Sequence, residues 1–125
     1  GGVLDPIPFK KALSLGYKQK DIVVVLTRKK GYRKKEESIW IKTLYESYYK
    51  DINHKHLIDS IHNRYIKYNS ILDELEKDYK DIDVIYPPED FRLDRLTQDA
   101  KKLLVGFEQG IRSGKQFLFL MNAKC

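Results

Sequence analysis

The stretch Asp21-Ile22-Val23-Val24-Val25-Leu26-Thr27 decides the fold class. Five consecutive aliphatic side chains, four of them β-branched, run without polar alternation. Such a run predicts a strand covered on both faces, the pattern of a parallel sheet. A second strand is expected over Ile82 to Tyr86, where Pro87-Pro88 closes it and Asp83 gives it the character of an edge. Two strands do not make a stable parallel sheet. Burying five aliphatic side chains at about 1.5–3 kcal/mol each also requires more layers than this chain encodes. The chain is therefore expected to be the C-terminal part of a larger α/β protein, with neighbouring strands supplied from elsewhere.

Upstream of the first strand, Gly1-Gly2 and Asp5-Pro6-Ile7-Pro8 are turn material, because each proline holds the residue before it extended. Pro8 suits the first turn of a helix whose apolar stripe is Phe9, Ala12 and Leu13, and Gly16 is placed to end it in a left-handed cap. Between the strands, Ile41, Leu44, Tyr45 and Tyr48 fall at helical spacing. After the Asp51-Ile52-Asn53 interruption a longer helix is expected, with Leu57, Ile61, Tyr65, Tyr68, Leu72, Leu75 and Tyr79 forming one seam of a helical hairpin. Asp99 is placed to cap a last helix whose Ala100, Leu103, Leu104, Phe107 and Ile111 share a face, followed by the apolar tail Phe117 to Met121.

With 125 residues, 42% of them hydrophobic, the chain has enough material for a real core. The 24 Lys and Arg against 18 Asp and Glu leave a net charge of +6, which favours anionic partners. A lone cysteine, Cys125, forms no internal disulfide and no Cys metal cluster, so a reducing compartment, the cytoplasm, is expected. No apolar run approaches the roughly 20 residues needed to cross a bilayer, and the stretch Gly1-Gly2-Val3-Leu4-Asp5-Pro6 is not the charged region and apolar stretch of a signal peptide.

Several local motifs fail on chemical grounds. Ala12-Leu13-Ser14-Leu15-Gly16 is one residue from a Gly-x-Ser-x-Gly nucleophile elbow, but that elbow needs a strand before the serine and a helix after it. Here the order is reversed, which makes Ser14 an ordinary helix-terminal residue. Arg112-Ser113-Gly114-Lys115 resembles a phosphate loop, yet Gln109 and Gln116 replace its outer residues and no strand precedes it. His54, His56 and His62 with Asp59 lack a fourth ligand at compact spacing, so no metal is expected. The densest basic run, Arg28-Lys29-Lys30-Gly31-Tyr32-Arg33-Lys34-Lys35, offers six cations as candidate contacts for an anionic surface. Against that reading, Glu36 and Glu37 follow at once, no insertion helix accompanies the run, and a solvated loop is the plainer account. Nucleic acid is not expected, because only Tyr32 interleaves with the bases.

The start Gly1-Gly2-Val3-Leu4-Asp5-Pro6-Ile7-Pro8, the Leu15-Gly16 helix end, and Val23-Val24-Val25-Leu26-Thr27-Arg28 with Gly31-Tyr32-Arg33-Lys34 resemble, in that order, the C-terminal portion of bacterial patatin-like phospholipases. The Tyr-rich helix from His56, the Ile82 to Pro87 strand and the terminal helix are similar, less specifically, to the extension of that group. The resemblance implies a three-layer α/β/α fold, with residues 1–35 closing the catalytic domain and 36–125 forming a mostly helical extension with one strand near 82–86. It also implies a hydrolase acting in lipid degradation through a Ser-Asp dyad and no cofactor. On this match Gly1 and Gly2 are motif glycines, the aspartate stands immediately before Gly1, and the serine lies further upstream. No catalytic residue is then expected within the chain, whose partners would be the upstream part of the same protein and a lipid or acyl ester substrate. The competing expectation is a non-catalytic basic module that docks on anionic membrane, as a peripheral contact, or on a protein partner.

Overall fold

The computed structural model describes residues 5–36, 38–48, 55–94 and 96–124 of the chain. Among these residues the protein is mixed α/β and mostly helical, with one two-stranded parallel sheet. It divides into two compact units that interleave along the sequence, Gly1–Ile22 with Arg33–Ile82, and Val23–Tyr32 with Asp83–Cys125.

The first unit is helical. Helix α1 covers Phe9–Ser14. Pro8 stands just before its first residue rather than inside the first turn, and its carbonyl accepts from the Lys11 amide at 3.1 Å. Gly16 has the left-handed φ of 95° expected of it, with its amide on the Leu13 carbonyl, so the helix stops where only glycine is comfortable. Helix α2 spans Ile39–Tyr48, α3 spans Lys55–His62 and α4 spans Arg64–Lys77. The expected long helix from residue 57 onward is thus two helices, broken at Asn63, whose ψ of 2° leaves the helical range. Asp51-Ile52-Asn53 and the side chains of Tyr45 and Leu57 lie outside the described residues.

The seam is largely real. Tyr68, Ile71, Leu72 and Leu75 of α4 are buried at spacings of three, one and three, which puts them on one face, and Ile61 of α3 is buried as well. Ile7 and Phe9 belong to the same core. Phe9 meets the Tyr79 ring edge-on with centroids 4.9 Å apart, a favoured aromatic geometry. Lys10 pairs with Glu74, so α1 is tied to α4 by an apolar and an ionic contact together. Helix α2 departs from expectation. Its Ile41, Leu44 and Tyr48 are exposed, and so are Ile39 and Trp40. Helical spacing identified the element and not what covers it.

The second unit holds the sheet. Strand β1 is Val23–Val25 and β2 is Asp83–Ile85, paired in parallel with Val24 opposite Val84. The Leu26 amide extends the ladder to the Ile85 carbonyl at 2.9 Å. Asp21 sits in the 3-10 turn Gln19–Asp21 ahead of the strand. Val24 is buried while Val23 and Val25 are 43% and 68% exposed, so the described residues cover one face of β1, and cover of the other was expected from outside this chain. Successive side chains on a strand point to opposite faces, and only one face has cover among the described residues.

Helix α5, Ala100–Lys124, packs against β2. Asp99 caps it as expected, its carboxylate accepting from the Lys102 amide at 3.1 Å. The face turned inward is not the apolar one. Gly106 and Gln109 are buried, whereas Leu103, Leu104, Phe107 and Ile111 are exposed. Phe117 to Met121 is no separate tail but the last turns of α5.

Candidate functional site

The two motif glycines, Gly1 and Gly2, lie outside the described residues, as do His54 and Cys125. The basic run after β1 is split by the division of the chain. Arg28, Lys29 and Lys30 belong to the second unit, while Arg33, Lys34 and Lys35 belong to the first. In the second unit the Arg28 guanidinium lies 5.4 Å from the centre of the Tyr32 ring, a cation–π distance. Lys29 donates to the backbone carbonyl of Glu89, which ties the loop to the segment after β2. Lys30 is exposed at a turn where Gly31 takes a φ of 77°.

In the first unit the bases are held in a network. Arg33 reaches one Asp73 carboxylate oxygen with Nε at 3.1 Å and Nη2 at 2.6 Å, and its Nη2 also reaches Glu76 at 2.7 Å. The Asn69 side chain accepts from the Lys34 amide at 2.8 Å and donates to the Lys34 carbonyl at 2.9 Å, as a neighbouring strand would. The Lys34 ammonium sits 4.4 Å from the centre of the Tyr68 ring. Together these contacts fasten the segment after Gly31 along α4. Lys35 is exposed.

The hydrogen bonds that Arg33 donates to Glu76 and Asp73 raise the Arg33 pKa, and the one to Asp73 holds that carboxyl below its ordinary value. A carboxylate depressed in the folded state contributes stability that is complete above its unfolded pKa and is lost as pH falls through the folded one. Asp73→Asn is therefore expected to unfold at lower urea than wild type at neutral pH. The gap should close once pH drops below the usual carboxylate range. Urea titrations at several pH values check this, and a gap independent of pH would contradict it.

Ser14 ends α1 with its hydroxyl donating to the Lys11 carbonyl at 2.8 Å, the behaviour of a helix-terminal serine. Arg112 to Lys115 lie within α5, with no loop to cradle a phosphate. His56 and Asp59 are exposed on α3, and the Nε2 of His62 at its end is buried without a hydrogen-bond partner. Among the described residues no three His, Cys, Asp or Glu side chains converge, and no helix is long and apolar enough to cross a membrane.

A feature that sequence reading missed lies at the carboxyl ends of both strands. There a cavity of about 250 Å³ is lined mainly by apolar atoms of Val25 and Leu26 from the end of β1, Ile85 and Tyr86 from the end of β2, and Gly110 from α5. Ligands of parallel sheets bind beyond the carboxyl ends of the strands, so this is the natural candidate site of the second unit. It has room for a short apolar chain. Its sequence signal is the repeat Gly106-x-x-x-Gly110-x-x-x-Gly114, which leaves one face of α5 without bulk.

Residues 54–122, more than half of the chain, match the family model described as Domain of unknown function (DUF6363), and the chain belongs to that family. No curated protein and no solved structure matches it.

Proposed function

We propose that this chain is the C-terminal segment of a patatin-like lipid acyl hydrolase, in which residues 1–35 close a three-layer α/β/α catalytic domain and residues 36–125 form its helical extension. The observation that carries the reading is β1. It exposes Val23 and Val25 on one face, carries an apolar cavity at its carboxyl end, and lies in the stretch that resembles the bacterial phospholipases. An aliphatic strand face of this kind is stabilised when further layers cover it. In the whole protein the serine hydroxyl attacks the ester carbonyl and passes its proton to the aspartate before Gly1. The alcohol leaves, and water then releases the acyl group from the serine. The part of this segment is to wall the site after that aspartate. The cavity at the strand ends is sized for the first carbons of an acyl chain.

The test uses the protein with its residues upstream of Gly1. Labelling by a fluorophosphonate and hydrolysis of short-chain and phospholipid esters are expected. Both should disappear when the elbow serine is replaced, and hydrolysis should also disappear when the aspartate before Gly1 is replaced. A protein that folds but neither labels nor hydrolyses any ester overturns the reading.

A further inference from the structure

We infer that α5 is a membrane-contact helix that lies along the surface of an anionic lipid bilayer. The helix is amphipathic in an unusual sense, because the face it packs inward is its glycine and glutamine side, with Gly106 and Gln109 buried. Eight large apolar residues of α5 are exposed, and five of them, Leu103, Leu104, Phe107, Ile111 and Leu118, share one side, with Phe107 at 65%, while Val105, Phe119 and Leu120 lie outside it. At roughly 100° per residue these five fall within about a quarter to a third of the helix circumference and make one continuous stripe.

Charge selects the occupant. Lys101, Arg112 and Lys115 line one margin of the stripe, all exposed. None of the three has an acidic partner among the described residues. Glu108 stands on the same margin and is the one acid in α5. A protein surface of mixed charge would take the stripe but leave these bases desolvated against it. An anionic bilayer satisfies both, since apolar side chains enter the boundary between headgroups and acyl chains while the bases meet lipid phosphates. The 25 residues of α5 make a rod roughly 37 Å long. Without a window apolar enough to cross the bilayer, such a rod lies in the interface. This differs from the loop at Arg28 to Lys35 as the point of contact, because Arg33 and Lys34 are engaged along α4.

The inference does not depend on acyl-ester chemistry, and binding is read without turnover. The protein with its residues upstream of Gly1 is mixed with vesicles of phosphatidylcholine alone, or of phosphatidylcholine with phosphatidylglycerol, and floated at low and at high salt. Flotation is expected with the anionic vesicles only, weakening as salt rises. Replacing Lys101, Arg112 and Lys115 by Gln should weaken it roughly a hundredfold, at about fivefold per base. Phe107→Ser, and separately Leu118→Ser, should weaken it at least about tenfold, with helicity by circular dichroism unchanged because both side chains are exposed. The inference is overturned if anionic vesicles fail to float the chain, if neutral vesicles float it equally, or if the serine variants bind like wild type. It is equally overturned if light scattering shows a dimer that Phe107→Ser dissociates while vesicles remain unbound. A second copy would then cover the stripe.

Discussion

Leu75→Ala is expected to destabilise the first unit by about 2–5 kcal/mol, a large share of the stability of a domain this size. Leu75 is 2% exposed and is the most enclosed large side chain among the described residues. It closes the stripe that begins at Tyr68, one turn beyond Ile71 and Leu72. Alanine removes three carbons from an enclosed site that does not collapse far enough to refill itself, so a cavity adds to the lost transfer energy. Leu96→Ala, at a position 76% exposed, is expected to stay within about 0.5 kcal/mol of wild type. Urea unfolding distinguishes the two. Hydrogen exchange adds a local test, in which amides of α4 lose protection while those of α5 keep theirs, as two compact units imply. A Leu75 variant as stable as wild type would mean that the seam is not the core of the first unit.

That core was legible because helical period and burial coincide in α4. Side chains at steps of three and four must share a face, and a face carrying Tyr68, Leu72 and Leu75 has no reason to meet water. Gly16 was legible for a similar reason, since a left-handed helix end asks for glycine by sterics alone. Both strands were legible, but not their pairing with each other, since neighbours for the first were expected from elsewhere. Aliphatic content identified Val23 to Val25, and the pairing with Asp83 to Ile85 leaves the long connection through α2, α3 and α4 that a parallel arrangement requires.

Cover was not legible. Val23 and Val24 are chemically alike, yet one is exposed and the other buried, because what lies over a strand face depends on distant segments and not on the strand. The same holds for Ile41 and Leu44 of α2. Of the candidate site, the bases at Arg28 to Lys35 were visible as charge. Their division between two units, with Arg33 committed to Asp73 and Glu76, arises from contacts some forty residues apart in sequence. The cavity at the strand ends was hidden for another reason. It is made by what α5 lacks, and glycine repeats carry no hydrophobic signal.

The glycines of α5 provide the second large effect, and its sign reverses within one helical turn. Glycine inside a helix is disfavoured by about 1 kcal/mol relative to alanine, so each replacement starts from a gain. At Gly110 a Cβ meets nothing within 4 Å, and Gly110→Ala is expected to raise stability by most of that amount. At Gly106 a Cβ would fall on the Leu93 side chain, with the Phe91 ring at 3.6 Å behind it. The end of Leu93 can give way to one methyl group, which leaves Gly106→Ala close to neutral. Gly106→Leu has no such exit. Four added carbons must displace Leu93 and Phe91 from the loop between β2 and α5, and overpacking of this kind costs about 1–3 kcal/mol. Thermal unfolding of the three variants is expected to rank Gly110→Ala above wild type and Gly106→Leu well below it. If Gly106→Leu proved as stable as Gly110→Ala, the approach of α5 to Phe91 and Leu93 would be loose. The inward face of the helix would then have no claim over its apolar one, and the exposure of Leu103, Phe107 and Ile111 would lose its structural cause.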